Sequence, residues 1–357
     1  MINIAIIGLG RVFDHYLSIW EEVNNNFPDI KVVATCDKNK NLKNKGNALN
    51  CSKFFTDIES LIQSTKDIDL ALICTPGGLH YENSKILLEN NIHVLCEKPL
   101  ALKTKHIIEL NEIATINNLH YGAIFQNRFN PAIKFAKEFF KKGGVGKPLI
   151  LDISLLWSRP QSYYEDDWHG RWDLDGGVIC QQAIHHLDAA FFINGPIAKV
   201  SSMQSNLRNK LEAEDTHLAL LKFENNVQGT FKATTSLGPK DQEASLSIYG
   251  SNGHIKIAGI ALNEVKEAST NGEELNKEIL LSNSMNVASG YGSSHIDFFI
   301  KTFENIKNNN FIPICNAYES AHISSVIHSF YLSSEESTQS FTNVKLDNDF
   351  SLLGMIK

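Results

Sequence analysis

Short apolar runs alternate with amphipathic stretches through the first third of the chain. Ile2–Ile7, Ile30–Cys36, Ile68–Cys74, Ile92–Cys96 and Tyr121–Phe125 are rich in Ile, Val, Leu and Ala, as strands buried on both faces of a parallel sheet are. Between them, Thr104 to Asn118 sets Ile107, Ile108, Ile113 and Ile116 at helical spacing, with Thr104 at the N-cap position. Repeated βα units of this kind predict a doubly wound α/β fold. After Phe125 the period changes. Asn130 to Lys142 reads as an amphipathic helix ending at Gly143-Gly144. From Lys147 strand signals follow one another: Lys147–Trp157, Ala198–Leu207, His217–Glu224, Val227–Ser236 and Ala244–Tyr249, with a hairpin turn at Ser251-Asn252-Gly253. One helix, over Val178 to Ile193, interrupts them, and two follow at Ser294–Asn308 and Ala317–Ser334. The expectation is a doubly wound domain over residues 1–125. It is followed over 126–357 by an α+β domain with a large, mostly antiparallel sheet.

Composition narrows the classes. The length of 357 residues agrees with two domains. With 33 Lys plus Arg against 40 Asp plus Glu, the net charge is −7 and no basic face is clustered, which argues against nucleic acid. No run of 18 apolar residues predicts a membrane span, and the N-terminus lacks the basic region and cleavage site of a secretory signal. Six cysteines, none in a CxxC pair, predict reduced thiols in a cytoplasmic chain, with no disulfide framework and no metal site.

Gly8-Leu9-Gly10-Arg11-Val12-Phe13 follows the first strand and opens a helical pattern. Glycines permit a tight turn and close backbone approach to a pyrophosphate, which the helix N-terminus then faces. The third glycine of that fingerprint is replaced by Phe13, so the motif alone also fits an ordinary strand-to-helix turn. Asp37, after the second strand, strengthens the dinucleotide reading. A carboxylate there bonds ribose hydroxyls and repels a 2′-phosphate, favouring NAD over NADP, although Lys38 and Lys40 weaken the preference. Two further strands end in Thr75-Pro76-Gly77-Gly78-Leu79-His80 and in Glu97-Lys98-Pro99, where ligands of such sheets bind. Lys98 is a candidate substrate-facing amine, against the blander reading of a surface ion pair.

The segment Val178–Ala190 carries Gln181, His185 and Asp188 at helical spacing among Val, Ile, Leu and Ala. A buried polar stripe is either satisfied by partners or serves a site. Histidine suits proton exchange near neutral pH. The preceding stretch from Tyr163 to Gly177, dense in aromatics, charges and glycine, reads as a binding loop for a polar ligand.

Together, the glycine turn, Thr75-Pro76 with His80, Glu97-Lys98-Pro99, and Gly176-Gly177 followed by His185 and Asp188 resemble the Gfo/Idh/MocA oxidoreductases. The order and spacing match over nearly the whole chain. The resemblance implies an N-terminal Rossmann domain, a C-terminal domain with an open sheet through which members oligomerise as dimers or tetramers, a nicotinamide cofactor and a carbohydrate or cyclitol substrate. Many members carry Asp where this chain has Gln181, an amide that orients a hydroxyl and cannot relay a proton. With Gln126-Asn127-Arg128 and the Trp168-to-Trp172 loop, the chain is most similar to the WlbA-type subgroup, UDP-N-acetyl-glucosaminuronate 3-dehydrogenases of bacterial surface-polysaccharide pathways. Phe13 and His169 depart from that subgroup.

The reaction so implied oxidises a secondary ring hydroxyl, at C3, of a sugar or nucleotide sugar. His185 and Lys98 divide the proton and the developing charge, with His185 as the expected acceptor and the reverse left open. Arg128, Arg159 and Arg171 are candidates for a sugar carboxylate or diphosphate. The expected cofactor set is Gly8, Gly10, Arg11, Val12, Asp37, Thr75, Pro76, His80, Glu97, Lys98 and Gln126. The expected substrate set is Lys98, Asn127, Arg128, Trp168, Arg171, Gln181, His185 and Tyr291. An inositol or simple-sugar dehydrogenase, and a non-catalytic NAD-binding regulator, remain as alternatives.

Overall fold

A computed structural model describes residues 1–336 and 340–355. The chain forms two compact units, Met1–Phe125 with His295–Ala321, and Gln126–Ser294 with the residues from His322 onward. The first boundary lies where the hydrophobic period changes. The segment His295–Ala321, read from the sequence as part of the second domain, belongs to the first unit.

The first unit is built on six parallel strands, β1 (Ile2–Ile7), β2 (Ile30–Cys36), β3 (Phe54–Phe55), β4 (Leu70–Ile73), β5 (His93–Cys96) and β6 (Tyr121–Ala123), in the order β3-β2-β1-β4-β5-β6. That order reverses between β1 and β4, which creates the crevice where doubly wound sheets bind ligands. The two-residue β3 has no apolar run long enough to register in the sequence. Helices α1 (Arg11–Asn26), α2 (Ile58–Ser64), α3 (His80–Glu89) and α4 (Thr104–Ile116) connect the strands. In α1, Phe13, Tyr16, Trp20 and Val23 recur every three or four residues and are buried. Phe13, the departure from the glycine fingerprint, is thus a core residue. In α4 the N-cap is Lys103, not Thr104; Thr104 is the first helical residue and is buried.

The second unit begins with a 3₁₀ turn, Gln126–Phe129, and α5 (Pro131–Lys141). Its strands are β7 (Pro148–Leu156), β8 (Ile197–Ser205), β9 (Thr216–Phe223), β10 (Gln228–Thr234), β11 (Glu243–Gly250), β12 (Gly253–Ala258), β13 (Glu264–Thr270), β14 (Glu273–Glu274) and β15 (Thr342–Asn343). Among the described residues they form a nine-stranded sheet, β14-β13-β12-β11-β7-β10-β9-β8-β15, in which only β7 and β10 pair in parallel. Helix α8 (Lys277–Ser282) follows β14, and α9 (His295–Lys307) returns to the first unit. There Phe299 meets Tyr16 edge-on and Phe303 approaches Phe27. The first residues of α10 (Ala317–Glu335) also belong to the first unit, and the rest of that helix belongs to the second.

The helix expected over 178–193 is two helices, α6 (Val178–Gln181) and α7 (Ile184–Asn194). At the break the Ala183 amide reaches past one turn to the Val178 carbonyl at 2.9 Å. Gln181 therefore ends one helix and His185 begins the next.

Candidate active site

Gly8 ends β1 at φ +93°, and a β-carbon there would lie 2.7 Å from the Cys74 carbonyl carbon. Only glycine allows β1 and β4 to converge this closely where the strand order reverses. Gly10 caps α1, and a β-carbon on it would meet nothing within 4 Å, so the outer side of the turn is open. Between them, the Leu9 amide donates to Asp37 Oδ2 at 2.8 Å, while Asp37 Oδ1 accepts from Asn39 N–H at 2.8 Å. The strand-end acid thus stands beside the glycine turn, with lone pairs remaining on both oxygens. An open turn, a helix N-terminus carrying Arg11 and Val12, and a carboxylate at the end of β2 fit a dinucleotide's pyrophosphate and ribose. Lys45, which local sequence did not single out, braces the turn by donating to the Leu9 carbonyl at 2.9 Å and pairing with Asp14 at 2.5 Å.

At the ends of β4 and β5 the geometry separates positioning residues from exposed ones. His80 is fully buried, its Nδ1 2.6 Å from the Pro99 carbonyl and its Nε2 2.7 Å from the Thr75 carbonyl. Burial lowers its pKa against the two carbonyls, which favour the charged ring. A neutral ring donates from one nitrogen at a time. His80 therefore ties the Thr75-Pro76 loop to the lysine turn, and both ring nitrogens face backbone carbonyls. Glu97 is buried as well. It accepts from the Tyr16 hydroxyl, and from the Lys98 amide at 3.2 Å. Burial pushes its pKa up, opposed by the Lys98 charge and by the Tyr16 bond. Glu97 thus anchors the turn from beneath, and Lys98 stands half-exposed at the carboxyl end of β5. Tyr16 had no signal in the sequence beyond its helical spacing, because its partner lies 81 residues away.

In the second unit, Gln126 Nε2 donates to the Tyr291 carbonyl at 3.4 Å, so these two expected residues are neighbours. Asn127 is buried, and its Oδ1 accepts no hydrogen bond among the described residues. Arg128 grips Asp188 through Nε, at 3.1 and 3.0 Å, and through Nη2 at 2.6 Å, with both side chains at most 2% exposed. Asp188 thus turns into the interior of the unit, while Gln181 and His185 are half-exposed on either side of the helix break. Arg171 pairs with Asp173 at 2.9 and 2.6 Å, and Arg159 with Asp241 at 3.0 Å. All three arginines offered for an anionic substrate group are engaged by aspartates. Trp168 stacks on His169 at 3.6 Å, and His169 Nδ1 lies 2.6 Å from Asp166, so the aromatic loop is internally braced.

The six cysteines are free and buried, no cluster among the described residues fits a metal ion, and no described helix is long and apolar enough to cross a membrane.

Comparison with known proteins bears on the same two units. The profile of the oxidoreductase family with an NAD-binding Rossmann fold matches residues 2–125, and that of the GFO/IDH/MocA C-terminal domain matches 133–256. Myo-inositol 2-dehydrogenase of Thermotoga maritima is 26% identical over 71% of this chain and 74% of its own. An uncharacterized oxidoreductase of Synechocystis is 26% identical over 57% of this chain, and the match spans 58% of that relative's length. The WlbA dehydrogenase of Bordetella pertussis, solved in complex with NADH and UDP-GlcNAcA, superimposes with a TM-score of 0.88 at 23% identity, over 97% of this chain and 98% of that one, a likeness of fold. The chain, with its glycine turn and strand-end acid in one unit and its open sheet in the other, belongs to the Gfo/Idh/MocA family of NAD-binding oxidoreductases.

Proposed function

We propose that this oxidoreductase uses NAD to oxidise a secondary ring hydroxyl, at C3, of a nucleotide-activated sugar such as UDP-N-acetyl-glucosaminuronate, in the synthesis of bacterial surface-polysaccharide sugars. The observation that carries the reading is the lysine turn. Glu97 is buried and tied down by Tyr16, while Lys98 stands half-exposed at the carboxyl end of a strand in an NAD-binding sheet. A nicotinamide held by this sheet would supply the hydride acceptor. His185 takes the hydroxyl proton, Lys98 stabilises the charge developing on that oxygen, and Gln181 orients the hydroxyl as an amide donor or acceptor. Gly8, Gly10, Arg11, Val12 and Asp37 hold the dinucleotide, with Thr75, Pro76 and Gln126 bordering it. Asn127, Trp168 and Tyr291 line the sugar's side.

The pairing of Arg128, Arg159 and Arg171 with aspartates favours a second reading, an uncharged sugar or cyclitol, which needs no guanidinium partner. A panel of UDP-N-acetyl-glucosaminuronate, UDP-N-acetylglucosamine, glucose and myo-inositol, followed by NADH absorbance, separates the two. Turnover of the uronate derivative in preference to the rest supports the first reading, and preference for a neutral polyol supports the second. Tight NAD binding with no turnover of any compound replaces both with a regulator.

A second copy of the chain is proposed to cover the open face of the nine-stranded sheet. Along β9, Leu218 and Leu220 alternate with buried residues and are exposed, and Met203 on β8 pairs with Leu218 in register and is exposed too. Such an apolar row is a usual mark of an association surface. Sedimentation should show a dimer or tetramer that Leu218→Glu/Leu220→Glu reduces to smaller species. A monomeric wild-type chain would sink the assembly.

A further inference from the structure

Glu214 lies where β9 begins, under the turn that starts α6, and the expected sets above do not use it. Its main-chain carbonyl accepts from Val178 N–H at 3.0 Å, and its Oε1 accepts from Ile179 N–H at 3.2 Å. Two of the amides that open α6 are therefore bound by one residue far along the chain. A β-carbon on Gly177 would fall 2.0 Å from Glu214 Oε2, so Gly177 is the residue type that lets the carboxyl sit against the turn. Oε2 is buried, with the Tyr331 side chain as its polar neighbour, whose hydrogen bonding opposes the effect of burial on the carboxyl. Tyr331 closes the other side, where its hydroxyl accepts from Gly177 N–H at 3.3 Å and lies 3.7 Å from Cys180 Sγ.

We propose that Glu214 is a positioning residue for the proton exchange assigned to His185: it anchors the first turn of α6, and through the break at Gln182-Ala183 it sets where Gln181 and His185 stand. The inference rests on the reading of His185 above.

The titratable neighbours of the carboxyl are known from each element packed on it. Cys180 comes from α6, Tyr331 from α10, and Asp175 from the preceding loop; Asp175 adds a like charge. His217 on β9 stands behind Tyr331, edge-on at 6.1 Å, and burial lowers its pKa to about 3, so it is neutral. Asp215, next in the chain, turns onto the amides of Leu207, Arg208 and Asn209. Burial, the largest influence, raises the Glu214 pKa to about 8. The carboxyl is then neutral at neutral pH. Because the folded state holds this proton more tightly than the unfolded chain, the stability it contributes is fully present below the ordinary carboxylate range and is lost as pH rises through about 8.

Three measurements on the full chain test this. Hydrogen exchange of the 176–188 peptide should accelerate about tenfold in Glu214→Ala and stay near wild type in Glu214→Gln, whose amide oxygen still accepts from Ile179. With the sugar that the wild type turns over, kcat in Glu214→Ala should fall about 10- to 100-fold at little change in NAD affinity, with rescue by Glu214→Gln. Melting of wild type and Glu214→Gln should diverge between pH 5 and about 9, the wild type losing stability and the variant not. Unchanged exchange in Glu214→Ala, or accelerated exchange at wild-type kcat, overturns the proposal. The exchange and melting arms need no substrate. Failure of the functional reading would thus appear as an inactive wild type in which those two arms still respond. If Glu214→Ala does not fold, Glu214→Gln showing faster exchange or a wild-type pH response overturns the proposal on its own.

Discussion

Lys98→Met and His185→Ala should each lower NADH production from the sugar by about 10²- to 10⁴-fold, with NAD binding retained. The size follows from the chemistry. Hydride departure from a carbinol carbon leaves a carbonyl only if the hydroxyl proton leaves too, and water is a poor acceptor for that proton beside a positioned base. A methionine keeps the stem of Lys98 and removes its charge. Glu97 remains bonded to Tyr16 beneath the turn, so the fold of the β5 end should survive and the loss should fall on kcat. In His185→Ala the shape of α7 is preserved, since alanine is a strong helix former. If His185 is the acceptor, the acidic limb of its kcat profile should disappear in that variant, while Lys98→Met keeps the limb at a lower plateau. The opposite pattern would exchange the two roles. Wild-type rates in both variants would remove both residues from the chemistry.

The largest stability effect is expected at Arg128 and Asp188. The pair is almost wholly buried, with three hydrogen bonds of 2.6 to 3.1 Å. It joins the 3₁₀ turn Gln126–Phe129 to α7, three residues beyond His185. Removing one partner leaves an uncompensated charge out of water, which typically costs about 3–5 kcal/mol. Asp188→Ala should therefore lower Tm by about 10 °C in a thermal melt, at about 2–4 °C per kcal/mol for domains of this size. Replacing both, as Arg128→Met/Asp188→Leu, should recover most of the loss, because desolvation of two ions is then no longer required. A single variant that melts with the wild type would mean the guanidinium finds water. The same pair explains why Arg128 is not a ready partner for a substrate carboxylate: a ligand would have to displace Asp188 from a site where it already has good geometry.

Much of the first unit was legible because its signals are local. Strand runs, the turn at Gly8 and Gly10, the acid at Asp37 and the lysine turn each depend on neighbours within a few residues, where period and turn chemistry act. The change of period near residue 126 falls where one compact unit gives way to the other. Spacing placed Gln181 and His185 on one helical face, and the structure puts them on two helices, on either side of a break.

What spacing could not show is which polar group meets which. Asp188 shares a helical stripe with His185, yet it faces Arg128, 60 residues away. His80 carries a motif histidine, yet two backbone carbonyls surround it. Glu97 needs Tyr16, Gly177 makes room for Glu214, and α9 returns to the first unit. Sequence by itself determined the order of elements, the cofactor-binding half and the residue types available for proton exchange, because backbone periodicity and turn geometry are properties of short segments. Tertiary structure alone decided which of those residues are spent on one another. In a low-dielectric interior a charge or a hydrogen-bond donor must find a partner, and packing of distant elements supplies it.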